Sequence, residues 1–197
     1  MGLYYMRQLG ILENKMILRV SDSFSRADNP SIIGSADTGQ SWTVLTGATW
    51  GVNSNKAYAS AAYGGSCAWI NSALSNCTVS ATFDIYATSS GLIVRKNATI
   101  DIATLNCISL RSTLAGDVLL QRWDNGTPTT IGSITGLTLT NGDIWSLECV
   151  GSTIKAYQNG ILRINATEAS HTINTRHGLM ASNTTVPRFG NFKVGAI

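Results

Sequence analysis

Charged side chains are scarce in this sequence of 197 residues. They make up 13% of the chain, and the formal net charge is only +3. The basic residues are scattered singly except for Arg95-Lys96. Nucleic-acid-binding surfaces typically carry runs of basic residues interleaved with aromatic residues, and this sequence has no such run. The sequence therefore predicts no nucleic-acid partner and a polar surface built from Ser, Thr, Asn and Gly.

Long apolar runs are also missing. No window approaches the roughly 18 uninterrupted apolar residues that a membrane-spanning helix needs. Four charged residues interrupt the opening segment 1–20: Arg7, Glu13, Lys15 and Arg19. The segment therefore lacks the continuous apolar stretch of a secretory signal peptide. We expect no membrane partner, and synthesis in a cytoplasm.

Cysteine occurs four times, with no Cys-x-x-Cys pair: Cys67, Cys77, Cys107 and Cys149. Neither His171 nor His177 lies at zinc-ligand spacing from a cysteine, so no metal site is predicted. A chain of this length buries enough apolar surface to fold without covalent cross-links. We expect four reduced thiols, with a Cys67–Cys77 bridge as the alternative.

Alternating apolar and polar residues indicate strands along most of the chain. The clearest run, residues 77–86, places Val79, Ala81 and Phe83 on one face and hydroxyl side chains on the other, which is the period of a half-buried strand. Further predicted strands are Gly91–Lys96, 100–110, 117–123, 129–134, Asp143–Val150, Thr153–Gln158, 161–164 and 189–194. No long amphipathic helix is predicted.

Asn-Gly pairs lie between these strands. Asn159-Gly160 separates two of them, and Asp124-Asn125-Gly126 separates another two. Asn and Gly tolerate the positive φ of type I′ hairpin turns, so both pairs predict hairpins. The three prolines, Pro30, Pro128 and Pro187, are predicted to lie in loops. Short strands joined in this way predict an antiparallel sandwich or barrel.

The first 20 residues lack this alternation. Their apolar and aromatic side chains are Tyr4, Tyr5, Leu9, Ile11 and Leu12. Such side chains are costly in water unless they pack on something. We predict that residues 1–20 form an N-terminal arm, as a short helix, an edge strand or a docking segment. The arm packs either on a neighbouring subunit or on its own domain, residues 21–197.

Three stretches carry a further pattern of aromatic residues: 22–42 with Phe24 and Trp42, 142–160 with Trp145, and 188–194 with Phe192. Together they resemble concanavalin A-like (laminin-G-like) jelly-roll domains over about residues 21–197. The resemblance implies an all-β fold, an antiparallel jelly-roll β-sandwich. Rings of this size bury about 150–250 Å² each, which suits the space between two sheets.

Domains of this kind recur in phage virion proteins. The resemblance therefore implies a non-enzymatic virion protein, a capsid decoration or tail component made in a host cytoplasm. Its expected partners are other capsid or tail proteins, in a homo-oligomer or a larger assembly anchored by the arm. The alternative is a lectin-like module that binds host-surface polysaccharide, and a third possibility is a glycoside hydrolase of the same fold.

Glycoside hydrolysis requires two carboxylates, about 5–5.5 Å apart for retention and wider for inversion. The jelly-roll glucanases carry theirs at alternate positions of one strand. Here the only glutamates are Glu13, Glu148 and Glu168, and none lies two residues from an aspartate. No Gly-x-Ser-x-Gly or phosphate-binding loop occurs either. We predict no catalytic residue. The sequence leaves open the alternative that two separate strands each contribute one carboxylate to a catalytic pair.

Glycan binding has candidate residues because sugar sites in β-sandwiches combine an aromatic ring with Asp or Asn side chains. The candidates are Trp123, Asp124 and Asn125 at a hairpin tip, with Tyr63 and Trp69 flanking a Gly-Gly loop. Laminin-G-like domains often hold Ca²⁺, for which Asp117 and the Asp124-Asn125 turn are candidates. No ligand spacing distinguishes them, and turn formation explains Asp124 and Asn125 better, so no cofactor is predicted.

Overall fold

A computed structural model describes residues 17–61, 66–86, 89–113, 116–181 and 187–197. Some predicted functional residues lie outside these ranges: Tyr4, Tyr5, Leu9, Ile11 and Leu12 of the arm, and Tyr63 of the glycan site. No helix in the described part of the chain is long and apolar enough to cross a membrane.

The regular secondary structure of the described chain is mainly strand. In chain order the strands are β1 (Ile17–Asp22), β2 (Thr43–Val44), β3 (Thr49–Asn53), β4 (Lys56–Ala61), β5 (Ser66–Asn71), β6 (Cys77–Ile85), β7 (Gly91–Lys96), β8 (Cys107–Ser112), β9 (Val118–Asp124), β10 (Thr127–Ile134), β11 (Asp143–Val150), β12 (Thr153–Gln158), β13 (Ile161–Thr167), β14 (Arg176–Ala181) and β15 (Arg188–Ala196). Among the described residues, one 3-10 turn, Ile102–Thr104, lies between β7 and β8.

Two antiparallel sheets contain all of these strands. Sheet I has the order β13-β12-β11-β6-β15-β4-β3, with β1 also paired to β15, and sheet II has the order β10-β9-β8-β7-β14-β5-β2. The predicted all-β sandwich is confirmed. Because β1 begins at Ile17 and pairs with β15, residues 17–20, which we assigned to the arm, belong to sheet I.

Several strand predictions match the structure, but the predicted strand 100–110 is wrong in its first half. Asp101 instead caps the 3-10 turn, since its Oδ1 accepts a hydrogen bond from the Ala103 amide at 2.9 Å. The apolar side chains that suggested a strand, Ile100 and Ile102, are 53% and 40% exposed. Their hydrophobicity therefore does not indicate a core-facing strand.

The main core lies between the two sheets and contains the four rings predicted for it. Phe24, Trp42, Trp145 and Phe192 are all buried. The Trp42 ring centroid lies 5.8 Å from that of Phe24 and 4.9 Å from that of Phe192, within the range of favourable aromatic contacts.

A second apolar cluster, which we call the outer cluster, lies on the opposite face of sheet II. On β5, Ala68 and Ile70 belong to the main core, whereas Cys67 and Trp69 belong to the outer cluster, as strand alternation requires. The segment after β7 approaches this face, because the Ile100 carbonyl accepts a hydrogen bond from the Thr46 amide at 2.8 Å. The remaining members of the outer cluster are Leu45, Ile93, Leu105, Cys107, Trp123 and Met180.

All four cysteines are free and buried. Burial raises the pKa of Cys67, Cys77 and Cys149 to about 12, so these thiols stay protonated at neutral pH. The alternative Cys67–Cys77 bridge is wrong, because Cys77 faces the main core from sheet I while Cys67 lies on the outer face of sheet II.

Pro128 lies in a strand and not in the predicted loop. It belongs to β10, an edge strand of sheet II, and is paired in register with Trp123. Asp124 and Thr127 flank a two-residue turn, and their backbone amide and carbonyl groups face each other. Because backbone groups alternate in direction along a strand, the backbone nitrogen and carbonyl of the next residue, Pro128, point away from β9. The missing amide hydrogen of proline therefore costs no ladder hydrogen bond.

Candidate functional site

The predicted hairpin tip joins β9 to β10. Asn125 and Gly126 adopt φ values of 47° and 75°, as a type I′ turn requires. The Asn125 amide donates to the Asn106 side chain at 2.7 Å, and the Gly126 amide donates to the Leu105 carbonyl at 2.9 Å. The turn is therefore fixed by the segment that precedes β8.

A set of polar side chains, which we call the tip cluster, surrounds this turn: Arg122, Asp124, Glu168 and His171. Arg122 donates from Nε to Asp124 Oδ2 at 2.6 Å and from Nη1 to Glu168 Oε2 at 3.0 Å. His171 Nε2 lies 3.2 Å from Asp124 Oδ1 and 3.0 Å from the Trp123 carbonyl oxygen. The loop between β13 and β14 thus meets the end of β9 through charged groups.

The electrostatics of the tip cluster keep Glu168 ionised. Burial raises the pKa of Glu168, but hydrogen bonds from Ser170 and the ion pair with Arg122 outweigh this effect, and the pKa is lowered. Hydrogen bonds to Asp124 and Glu168 in turn raise the pKa of Arg122. Counting one guanidinium, two carboxylates and no charge on histidine, as in the formal net charge of the chain, the cluster carries a formal charge of −1.

The aromatic part of the predicted glycan site is not exposed at this tip. The Trp123 side chain is 6% exposed and its indole N–H donates to Ser109 Oγ at 2.8 Å. Trp69 is 2% exposed, with the Lys96 ammonium nitrogen 3.5 Å from its ring centroid. Both rings belong to the outer cluster, so neither offers an open face to a sugar in this structure. Asp124, by contrast, has a 45% exposed side chain.

The sequence identified Asp124, together with the neighbouring turn residue Asn125, but did not identify the other members of the tip cluster, Arg122, Glu168 and His171. Arg122 lies two residues before Asp124 on β9, and strand alternation could have placed both on one face. Glu168 and His171 lie more than 40 residues further along the chain, beyond the reach of local patterns. The one signal in the sequence is that glutamate is scarce, because Glu168 is one of only three glutamates.

A carboxylate pair for hydrolysis is not apparent on sheet II. Among the strand residues that the structure describes in this sheet, Asp124 is the only acidic one. Glu148 lies on β11 of sheet I, where its Oε1 accepts from Lys155 Nζ at 3.0 Å. Asp124 and Glu168 are both bound by Arg122, so neither is free to donate a proton as a general acid.

The contact between Cys77 and His177 resembles a nucleophile–base pair but cannot act as one. The Cys77 Sγ lies 3.5 Å from His177 Nε2, and both side chains are fully buried. His177 Nε2 also lies 2.8 Å from the Leu74 carbonyl oxygen, and its Nδ1 accepts from the Arg95 amide at 3.3 Å. Burial lowers the pKa of His177 to about 4, so the neutral imidazole has a structural role.

Within the described ranges, no group of three or more His, Cys, Asp or Glu side chains could hold a metal ion. Of the calcium candidates, Asp117 accepts a hydrogen bond from the Gly136 amide at 3.4 Å. The Asp124 carboxylate contacts Arg122 and His171. These contacts stabilise turns and the tip cluster.

Comparison by sequence finds no matching family model and no matching curated protein. The fold, however, is similar to the carbohydrate-binding module CBM66 from Bacillus subtilis, with a TM-score of 0.64, 17% identity, and coverage of 79% of this chain and 95% of that chain. A prokaryotic β-1,3-1,4-glucanase (lichenase) derived from a mouse hindgut metagenome has a TM-score of 0.57 and 7% identity, covering 89% of this chain and 97% of that chain.

The exoplasmic/lumenal domain of VIP36 in its Ca²⁺/Man-bound form is also similar, with a TM-score of 0.57, 7% identity, and coverage of 82% of this chain and 85% of that chain. At these identities the similarity concerns the fold alone. The chain is a two-sheet antiparallel sandwich of the concanavalin A-like jelly-roll type, a fold that carbohydrate-binding proteins and glycoside hydrolases share. None of these three structures supports the expected virion role.

Proposed function

We propose that this chain is a non-catalytic carbohydrate-recognition domain that binds glycans at the tip cluster. The observation that carries the proposal is the group of partly exposed hydrogen-bonding side chains around Arg122 and Asp124, at one end of a concanavalin A-like sandwich. Two of the similar structures are a carbohydrate-binding module and a domain in a Man-bound form, which supports the same class of ligand.

The tip cluster offers both donors and acceptors to sugar hydroxyl groups. Arg122 uses Nε and Nη1 within the cluster, which leaves Nη2 for a ligand, and the exposed Asp124 carboxylate can accept further hydrogen bonds. Because ion pairs already fix both side chains, little rotamer freedom is lost on binding. The formal charge of −1 favours neutral glycans over acidic ones.

The expected affinity is modest because the described rings predicted for the site, Trp123 and Trp69, are both buried. Four hydrogen bonds of about 1 kcal/mol each give a binding free energy near −4 kcal/mol, which corresponds to a dissociation constant of about 1 mM. Useful binding to a polymer then requires several contacts along one glycan or several copies of the domain.

The absence of hydrolysis is part of the proposal. A glycosidase needs one carboxylic acid with a raised pKa and a second carboxylate across the scissile bond. Glu168 has a lowered pKa and is paired with Arg122. The arrangement therefore supports recognition without bond cleavage.

The test is affinity electrophoresis in gels that contain neutral polysaccharides, among them laminarin, mixed-linkage β-glucan and mannan. We expect retardation by at least one of them, and at least a tenfold weaker retardation for Asp124→Ala and Arg122→Met. Glu148→Gln, which removes an ion pair on sheet I, is the matched control and should bind normally. Equal retardation of all variants, or of none including the wild type, would contradict the proposal.

A parallel assay for reducing ends on the same polysaccharides should show no product above buffer. Product formation that Glu168→Gln abolishes would favour a hydrolase over a binding domain. The virion role and docking through the arm residues remain predictions, and both are compatible with glycan recognition.

A further inference from the structure

Two of the free thiols lie directly opposite each other in sheet I. Cys77 is the first residue of β6, Cys149 is the last residue but one of β11, and the two are paired in register. Both side chains are fully buried and belong to the main core, so they point to the same face of the sheet. The two thiols therefore face the interior side by side on neighbouring strands.

The spacing of this pair suits a disulfide. Residues directly opposite each other in an antiparallel pair have Cα atoms about 4.5–5.5 Å apart, and the Cα atoms of disulfides are about 4.4–6.8 Å apart. The strands are held on both sides of the pair, because Leu147 is paired with Val79 and the Gly151 amide donates to Asn76 Oδ1 at 2.9 Å. A bond between the two sulfur atoms thus requires no change of register.

The other two cysteines have no such neighbour. Cys67 and Cys107 lie in the outer cluster on the opposite face of sheet II. They belong to β5 and β8, which are separated by three strand intervals, or about 14 Å at the usual strand spacing. This exceeds the roughly 7 Å between Cα atoms that a disulfide can span. The geometry therefore allows one bridge within the molecule, between Cys77 and Cys149.

The pair is protected from oxidants in the closed fold. Burial raises the pKa of both thiols to about 12, and the thiolate is the reactive form. His177 does not act as a base for Cys77, since its Nε2 already lies 2.8 Å from the Leu74 carbonyl oxygen. Both cysteines, however, lie at the ends of their strands, where local opening requires less free energy than unfolding of the whole domain. Oxidation should therefore be slow and should follow local opening.

We propose that Cys77 and Cys149 form a redox-sensitive cross-link, which closes by exchange with a low-molecular-weight disulfide and ties β6 to β11. One cysteine thiolate attacks a sulfur of the reagent R–S–S–R, the reagent bond breaks, and RS⁻ leaves and takes up the proton that the cysteine lost. The other cysteine then attacks the cysteine sulfur of the mixed disulfide, and a second RSH leaves. The two cysteines are oxidised, the reagent is reduced to two thiols, and excess thiol reverses both steps.

The cross-link should stabilise the fold. It closes a ring that runs from the start of β6 to the end of β11, and closing so long a segment restricts the unfolded chain strongly. We expect the midpoint of thermal unfolding to rise by about 5–10 °C on oxidation. This inference does not depend on the proposed carbohydrate recognition.

Oxidation of the full wild-type chain tests the proposal. The reduced protein is equilibrated with oxidised glutathione, in buffer and in urea below the unfolding transition, which speeds local opening. Remaining thiols are blocked with N-ethylmaleimide in denaturant, and trypsin with chymotrypsin, which cleaves after Trp69 between Cys67 and Cys77, yields the peptide map. We expect loss of two of the four thiols, a cross-linked peptide pair with Cys77 and Cys149, blocked Cys67 and Cys107, and full reversal by dithiothreitol.

Single substitutions supply the matched controls. Cys77→Ala and Cys149→Ala should each abolish the cross-link and the change in unfolding midpoint on oxidation. Cys67→Ala and Cys107→Ala make the same chemical change in the outer cluster and should retain both effects. If a core variant fails to fold, the wild-type peptide map decides.

Four free thiols after equilibration in urea would overturn the proposal. The same holds for a bridge that involves Cys67 or Cys107, for cross-linking between molecules in place of the internal bridge, and for an unfolding midpoint that oxidation leaves unchanged.

Discussion

The ammonium nitrogen of Lys96 lies 3.5 Å from the centroid of the Trp69 ring, and its hydrogen bonds go to the carbonyl oxygens of Asn97 and Thr99. Lys96 is fully buried, and no ion pair to it is formed within the described part of the chain. Burial lowers the pKa of Lys96 to about 8. This residue therefore opposes folding as long as it is charged.

Replacing Lys96 with Met should stabilise the protein at neutral pH. A depressed lysine pKa means that the folded state binds the proton less tightly than the unfolded state, so stability is lost as pH falls from 10.5 towards 8. The gain in Lys96→Met should reach at most about 3 kcal/mol below pH 8 and disappear above pH 10.5. Urea unfolding of both proteins across this pH range measures it, with the exposed Lys193→Met as control. If the difference in unfolding free energy between Lys96→Met and the wild type stays constant across this pH range, the lowered pKa of Lys96 is contradicted.

His177 should make the fold sensitive to acid. Its folded-state pKa is lowered to about 4, so the unfolded chain takes up a proton below pH 6.5 while the folded chain does not. Stability should fall as pH decreases from 6.5 to 4, by up to about 3 kcal/mol. His177→Gln should be less stable at neutral pH but should lack this part of the pH dependence. His171→Gln, at the other histidine, should retain it, and loss of the slope in both variants would count against His177.

Gly178 should not accept any side chain. An added Cβ would lie 1.9 Å from the Ala68 carbonyl oxygen and 2.6 Å from the Trp69 Cα, and both are backbone atoms of the paired strand β5. Overpacking of this kind costs about 1–3 kcal/mol and occasionally more, so we expect Gly178→Ala to exceed the upper value. Gly136→Ala is the control: it has open space but a φ of 68°, and it should cost about 1–2 kcal/mol. Thermal or urea unfolding compares them, and equal losses would refute the steric argument.

Asp143 organises a buried polar network that should fail when its charge is removed. Its carboxylate accepts from Asn159 Nδ2 at 2.7 Å, Gln158 Nε2 at 2.8 Å and Tyr86 Oη at 3.0 Å. Burial raises the pKa of Asp143, but these hydrogen bonds and one from the Thr140 amide outweigh it, and the pKa is lowered. Stability from this group is therefore present above pH 4 and lost in stronger acid.

Asp143→Asn replaces an acceptor with a donor that faces other donors. We expect a loss of about 1–3 kcal/mol at pH 7 and a smaller difference from the wild type near pH 2. Asp101→Asn, at an exposed capping residue whose role Asn can fill, serves as control. A loss at pH 7 as small as that of the control would show that the network is not needed.

Local patterns in the sequence were sufficient for most strands and both hairpins. Alternation placed β6 and β11 correctly, and the Asn125-Gly126 and Asn159-Gly160 pairs adopt the expected positive φ values. Alternation failed between residues 100 and 106, where the Asp101 and Asn97 side chains accept hydrogen bonds from the amides of Ala103 and Asn106 and form a turned segment. The Asp101 cap is local, but it competes with the apolar alternation, and the Asn97 contact joins residues nine positions apart.

The sites were harder to predict than the fold. Trp123 was a candidate for the glycan site because it borders a hairpin turn, but the segment before β8 packs beside this turn and the ring lies in the outer cluster. The ion pair between Arg122 and Glu168 joins residues 46 positions apart.

The proline in β10 has a consequence for the behaviour of many copies in solution. An open sheet edge normally offers alternating amide and carbonyl groups to any second strand, and neighbouring molecules can add to it without limit. Pro128 removes one donor from that outward row, so an incoming strand would meet a gap in its ladder next to the hairpin tip. This border of the domain thus resists self-association while the tip cluster beside it stays accessible.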